Sequence, residues 1–221
     1  MLIHRVAAAP QSDPCTGPHA GPSGRAGTPP LVVAVLPPAG PGHDAALAML
    51  RGVYPLSAAF DCTVVGPPSA DGGAGLPFRA AAQAWWQVSL RHRYAEAALE
   101  TVRRLAPALV EVHDNLTVAA LLAERMRPVP VVVILHSDPQ AQRGWKAAPA
   151  RTFLLAQATR VATASAAFRA RLLEGVHPSM RQCVLLPEWS GPEAARLAAD
   201  ALDALRHDAL RAWSRTLDAT I

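Results

Sequence analysis

Short apolar runs alternate along most of the chain with stretches whose apolar residues recur at helical spacing, the pattern of an α/β domain. Residues 31–37, LVVAVLP, form the first strand-like run, and a helix follows from about His43 to Arg51. Residues 60–66, FDCTVVG, read as a second strand and residues 76–80 as a short third. The next helix puts Leu90, Tyr94, Ala98, Val102 and Leu105 on one face. A strand over residues 109–112 is interrupted by Glu111 and ends on His113, Asp114 and Asn115. Val118, Leu121, Leu122 and Met126 then recur at helical spacing until Arg127 and Pro128 close the helix. Residues 131–135, VVVIL, are continuously apolar, as a strand buried on both faces requires, and end on His136, Ser137 and Asp138. Residues 151–157 start another helix, residues 160–163 form a sixth strand, and Ser165 opens a helix that stops at Gly175. Residues 182–186 form the last strand. Ser190, Gly191, Pro192 and Glu193 mark a helix start, and Asp208 is expected to cap a second, shorter helix containing Leu210, Trp213 and Leu217.

Strands joined through a helix must run parallel, with right-handed crossovers. The expected fold is therefore a single Rossmann-like parallel sheet with helices on both faces, plus C-terminal helices. Three regions are expected: a disordered Pro/Gly-rich tail over residues 1–30, the α/β domain over residues 31–187, and closing helices over residues 188–221 that pack on it.

Composition narrows the function classes. At 221 residues with 51% apolar content, the chain has ample material for a core. A net charge of +4 without a dense Lys/Arg block argues against nucleic-acid binding. Cys15, Cys62 and Cys183 are widely spaced, which argues against zinc or a disulfide framework and fits a reducing cytoplasm. Neither a membrane span nor a signal-peptide core is evident. Trp85 and Trp86 beside arginines could meet the inner membrane face; a buried aromatic pair with solvated arginines is the plainer reading.

The candidate chemistry sits where the two central strands end. Parallel strands bring His113, Asp114, Asn115, His136 and Asp138 to one carboxyl edge, where open α/β sheets bind ligands. A histidine beside a carboxylate can act as a general base, orient a hydroxyl or bind a metal. In the alternative, the histidines serve loop backbone groups while Asp114 and Asn115 cap the next helix. Glu111 faces the same side as His113 and must find a partner inside an apolar strand, with fixing that histidine or a neighbouring loop as its expected duty. Gly40 and Gly42 precede the first helix, where backbone N–H groups can face an anion; a tight turn is the plain alternative. Ser165 is most simply an N-cap, to which a ligand role could be added. No closed metal-ligand set and no cofactor are expected.

EVHDN, followed by VVVILHSDPQ and then ATASAAFRARLLEG, resembles the N-terminal domain of bacterial family 4 glycosyltransferases. Members of that family often carry EVHNRP and LHNDP at these two strand ends. Here Asp114 stands where asparagine is common, Leu116 and Thr117 replace arginine-proline, and Ser137 replaces asparagine. The resemblance implies half of a GT-B fold acting on a nucleotide sugar and a glycan or lipid-linked acceptor. It casts His113 and His136 as catalytic, and Gly40, Gly42, Asp114, Asn115, Asp138 and Ser165 as substrate-binding. The family's donor-side glutamate pair, eight positions apart, has no counterpart here, and only 34 residues follow Pro187. Donor binding by the chain alone is therefore expected to be weak or absent, with a partner chain or self-association completing it. The alternatives are a non-catalytic module or partner subunit of a split enzyme, and a small hydrolase that lacks a recognisable nucleophile elbow.

Overall fold

The computed structural model describes residues 28–38, 42–68, 75–81, 90–142, 144–180 and 182–218. Most of the expected N-terminal tail, Gly40, and the Trp85–Trp86 pair lie outside the described residues. The chain runs β1 (Leu31–Val35), α1 (His43–Gly52), β2 (Asp61–Gly66), β3 (Phe78–Ala80), α2 (Leu90–Leu105), β4 (Leu109–His113), α3 (Leu116–Arg125), β5 (Val131–Leu135), α4 (Ala148–Gln157), β6 (Arg160–Thr163), α5 (Ala166–Leu173), β7 (Val184–Leu185) and α6 (Pro192–Asp218). The strands form one seven-stranded sheet, in the order β3-β2-β1-β4-β5-β6-β7. Every pairing is parallel. The strand order reverses between β1 and β4, so the crevice outside their carboxyl ends is the topological switch point.

Side-chain alternation sorts the strands onto two apolar layers. Val33, Val110, Val112, Val133 and Val161 meet α2, α3, α4 and α5 on one face. Val32, Ala34, Leu109, Val132 and Ile134 meet α1 and α6 on the other. Glu111 shares that second face with Leu109, so strand geometry carries its carboxylate into the layer beneath α6.

The C-terminal region departs from expectation. In place of two helices, α6 is one continuous helix of 27 residues. Asp208 does not cap a new helix, because its carboxylate pairs with Arg160 at 2.7 Å and ties α6 to the start of β6. No glycine or proline interrupts the segment, and the buried stripe Ala198, Leu202, Leu205, Ala209 runs through the expected break. Leu197, off that stripe, is 57% exposed, whereas Arg206 is fully buried within it.

Candidate active site at the carboxyl edge

The two polar turns meet as strand geometry requires. His113 is the last residue of β4 and pairs in register with Ile134, which places His136, the first residue after β5, beside it. His113 Nδ1 and His136 Nε2 are 2.8 Å apart, with the ring planes nearly parallel. Asp114 makes this contact possible. Its backbone is left-handed (φ 47°), a conformation aspartate tolerates, and its carboxylate turns back toward the β5 end. There Oδ1 accepts from the backbone N–H groups of His136 and Ser137, both at 3.0 Å, and Oδ2 accepts from Ser137 Oγ at 2.5 Å. Asp114 thus clamps the two strand ends together. Burial raises its pKa, and these three hydrogen bonds pull in the opposite direction.

The other candidates divide between capping and the cavity. Asn115 caps α3 by accepting from Val118 N–H at 3.0 Å. Asp138 accepts from Gln140 N–H at 2.9 Å at the start of a single 3₁₀ turn and faces Arg171 at 3.5 Å. Ser165 caps α5, accepting from Phe168 N–H at 3.3 Å, and also lines a cavity. That cavity, of about 360 Å³, opens at the carboxyl ends of β5, β6 and β7 and is lined by His136, Thr163, Ser165, Phe168, Glu188 and Trp189 among others. His136 meets Trp189 edge to face at 5.8 Å. His113 does not line it; it is fully buried behind His136. From the first helix, Ala45 reaches the cavity, and Gly42 is not among its lining residues.

Gly42 has a different duty. Its backbone is extended, and a Cβ placed there would lie 1.8 Å from Asp114 Oδ2 and 2.8 Å from Asp114 Cβ. The clamp prevents Asp114 from yielding. Gly42→Ala is therefore expected to lower stability by about 1–3 kcal/mol, the range for overpacking a tight site. Thermal denaturation checks this, and a melting temperature equal to that of the wild type would refute the packing argument.

Behind His113 lies a polar chain of which pattern reading foresaw only Glu111 and its need for a partner. Tyr54, in the turn after α1, donates its hydroxyl to Glu111 Oε2, and its oxygen lies 2.8 Å from His113 Nε2. Arg206 grips Glu111 with two parallel hydrogen bonds, at 2.8 and 2.9 Å. It also donates to Ser57 Oγ and Asp203 Oδ1, both at 3.0 Å. The guanidinium lies over the rings of Tyr54 and Phe60. Burial opposes the Arg206 charge, but the adjoining Glu111 carboxylate more than offsets this and holds the guanidinium protonated. Burial, and next to it the Glu111 charge, raises the Tyr54 pKa and keeps the phenol intact. Burial, together with the positive charge of Arg206, pushes His113 down to about 3. His136 is also lowered, by burial and then by His113. Both histidines are neutral at pH 7.

With the Glu111 carboxylate paired to Arg206, these contacts fix the proton positions. A carboxylate and a phenol oxygen in contact need a proton between them, and the phenol supplies its only one. Tyr54 must then accept from His113 Nε2–H, which leaves His113 Nδ1 as an acceptor for His136 Nε2–H. His136 Nδ1 consequently carries a bare lone pair, and that buried atom has no partner within the protein. The arrangement presents a neutral imidazole base at the edge of a small cavity.

Comparison with known proteins adds the architecture. No family model matches the chain, and no curated protein matches its sequence. Among solved structures it resembles the UDP-GlcNAc 2-epimerase from Neisseria meningitidis bound to UDP-GlcNAc, with a TM-score of 0.50 and 11% identity over 86% of this chain and 54% of that one. The UDP-N-acetylglucosamine 2-epimerase from Rickettsia bellii aligns with a TM-score of 0.46 and 16% identity, over 80% of this chain and 51% of that one. The chain thus spans about half the length of these structures. Such epimerases share the GT-B fold with glycosyltransferases. The fold is half of a GT-B fold.

Among the described residues, no group of three His, Cys, Asp or Glu side chains is placed to hold a metal ion. No described helix is long and apolar enough to cross a membrane. Cys62 and Cys183 are free thiols. Tyr54, Trp189 and Arg206 were absent from the sequence-derived site. For Arg206 a signal existed: a lone arginine in the apolar stripe of a helix, matching a lone glutamate in an apolar strand, is the signature of a buried pair. Trp189 and Tyr54 had no comparable signal, since each comes from a turn whose path depends on packing.

Proposed function

We propose that the chain is the acceptor-side half of a GT-B enzyme of the family 4 glycosyltransferase kind, with the cavity at His136 receiving an uncharged, hydroxyl-rich acceptor. One observation carries this reading: the bare, buried Nδ1 of a neutral histidine at the carboxyl edge of the sheet. A lone pair without a partner suits a hydroxyl donor. The cavity volume falls within the roughly 300–1,000 Å³ of small-ligand sites. Its lining contains one charged side chain, Glu188, and neither lysine nor arginine. A diphosphate needs cations or converging N–H groups, so the donor's phosphates belong elsewhere. Trp189 supplies an apolar surface beside the polar groups, as sugar rings require.

In the reaction, an acceptor hydroxyl oxygen forms a bond to the anomeric carbon of the donor sugar. The bond from that carbon to the diphosphate oxygen breaks, and the nucleoside diphosphate leaves with the electron pair. The hydroxyl proton passes to His136 Nδ1, which the entering acceptor must first uncover by a shift of the cavity wall, since the atom is buried in the free chain. A hydrolase reading is less well supported, since no hydroxyl is hydrogen-bonded to Nδ1.

NMR titration of the histidine ring signals with a panel of neutral monosaccharides, polyols and UDP-, GDP- and ADP-sugars tests the proposal. Neutral ligands are expected to shift the His136 signals at millimolar concentrations, with the response lost in Phe168→Ala or Trp189→Ala. Diphosphate sugars seated at this cavity more tightly than any neutral ligand would overturn it, as would a panel that leaves His136 unmoved.

A further inference from the structure

We propose that Glu111, Tyr54 and Arg206 are positioning residues that set the polarity of a buried hydrogen-bond chain ending at His136 Nδ1. The inference rests on the acceptor reading only for its use in catalysis; the polarity stands on geometry alone. The chain runs from Arg206 through Glu111, Tyr54 and His113 to His136, and each link is a direct contact within hydrogen-bond distance. Glu111, His113 and Arg206 are 0% exposed, so water does not substitute for any of these partners.

Such a chain has two self-consistent polarities. With Glu111 ionised, every proton points toward Glu111 and His136 Nδ1 is an acceptor. With Glu111 neutral and carrying a proton, every bond reverses: Glu111 donates to Tyr54, Tyr54 to His113 Nε2, His113 Nδ1–H to His136 Nε2, and His136 carries its proton on Nδ1. Any mixed state leaves a buried donor facing a donor, or an acceptor facing an acceptor. Each such mismatch disfavours the state by roughly tenfold or more. Arg206 decides between the two, because its paired hydrogen bonds hold the carboxylate ionised.

The same chain gives the hydroxyl proton somewhere to go. A proton arriving at His136 Nδ1 releases Nε2–H to His113 Nδ1. His113 Nε2–H then moves to Tyr54, and the phenolic proton moves to Glu111. One proton enters and one arrives on Glu111, so the added positive charge is carried by Arg206, whose ion pair is lost while Glu111 is protonated, and not by an imidazolium. The glutamate is thus the base behind His136, three side chains away. It never touches substrate.

The test reads tautomers by ¹⁵N-detected histidine NMR on the full chain without ligand. Wild type is expected to show His136 protonated on Nε2 and bare on Nδ1 by at least about tenfold. Glu111→Leu with Arg206→Met removes the acceptor of the Tyr54 hydroxyl, which then donates to His113 Nε2, and is expected to invert both histidines, giving His136 Nδ1–H as the major form. If that variant does not fold, Tyr54→Phe serves: cutting the chain leaves His113 Nε2–H without an acceptor and raises the Nδ1–H form of His136 by about tenfold. A wild-type His136 protonated on Nδ1, or a tautomer unchanged in the folded variants, overturns the proposal. Because the readout needs no sugar, correct polarity in a chain that binds no acceptor would sink the function proposed above and leave this inference standing.

Discussion

Arg206→Met lowers the unfolding free energy by about 3–5 kcal/mol, the cost of leaving a buried charge without its partner. Both side chains of the Arg206–Glu111 pair are 0% exposed, and the pair meets face to face through two hydrogen bonds. Methionine matches the arginine stem in volume, so the loss is electrostatic and not a cavity effect. It would leave Glu111 with Tyr54 as its remaining hydrogen-bond donor and would free Ser57 and Asp203 from the guanidinium. The double variant Glu111→Leu with Arg206→Met removes both charges and is expected to recover most of the loss, since an apolar pair needs no desolvation. Arg104→Met breaks the exposed pair with Glu100 and should change stability by under about 0.5 kcal/mol. Urea denaturation of the three variants measures all of this. An Arg206→Met loss below about 1 kcal/mol would mean that the pair is not the anchor between α6 and the sheet.

Stability is expected to fall steeply on mild acidification. An unfolded histidine titrates near 6.5, whereas His113 in the fold is held down to about 3 by burial and the Arg206 charge. Between those values the unfolded chain binds a proton that the folded chain refuses, so stability is full above pH 6.5 and declines as pH falls toward 3. The slope is about 1.4 kcal/mol per pH unit for one such histidine, or on the order of 5 kcal/mol across the window. His136 is shifted the same way and steepens the decline. Asp114 works against it, because its raised pKa lets the folded state take up a proton before the unfolded carboxyl does as pH falls. Urea midpoints from pH 8 to pH 4.5 should show a plateau and then a descent beginning near pH 6.5. In His113→Leu the descent should be shallower by about one proton. A flat profile between pH 6.5 and pH 5 would show that the buried histidines accept charge freely.

The sheet was legible because its signals are local. A run such as VVVIL can be buried on both faces in few arrangements, and a helix between two such runs forces them parallel. From that alone follow the shared edge of His113 and His136, and the face that Glu111 occupies. Capping was equally local: Asn115 and Ser165 bond to N–H groups three positions on, so their roles are written in neighbouring residues. The break assigned at Asp208 failed for the converse reason. An aspartate reads as a cap until the arginine that claims it, 48 positions earlier in the chain, is known.

What pattern could not reach is everything that depends on which helix lies over which strand. Arg206 and Glu111 are 95 positions apart, and Tyr54 and His113 are 59 apart. No periodicity links them; they meet because α1 and α6 cover the same face of the sheet. Burial there removes water, and without water each donor must face an acceptor, which converts a set of side chains into a chain with one direction. The residues of the primary structure therefore name a base, His136, and a carboxylate, Glu111. Tertiary packing decides that the base is neutral, which of its nitrogens is bare, and that the cavity before it is free of cations.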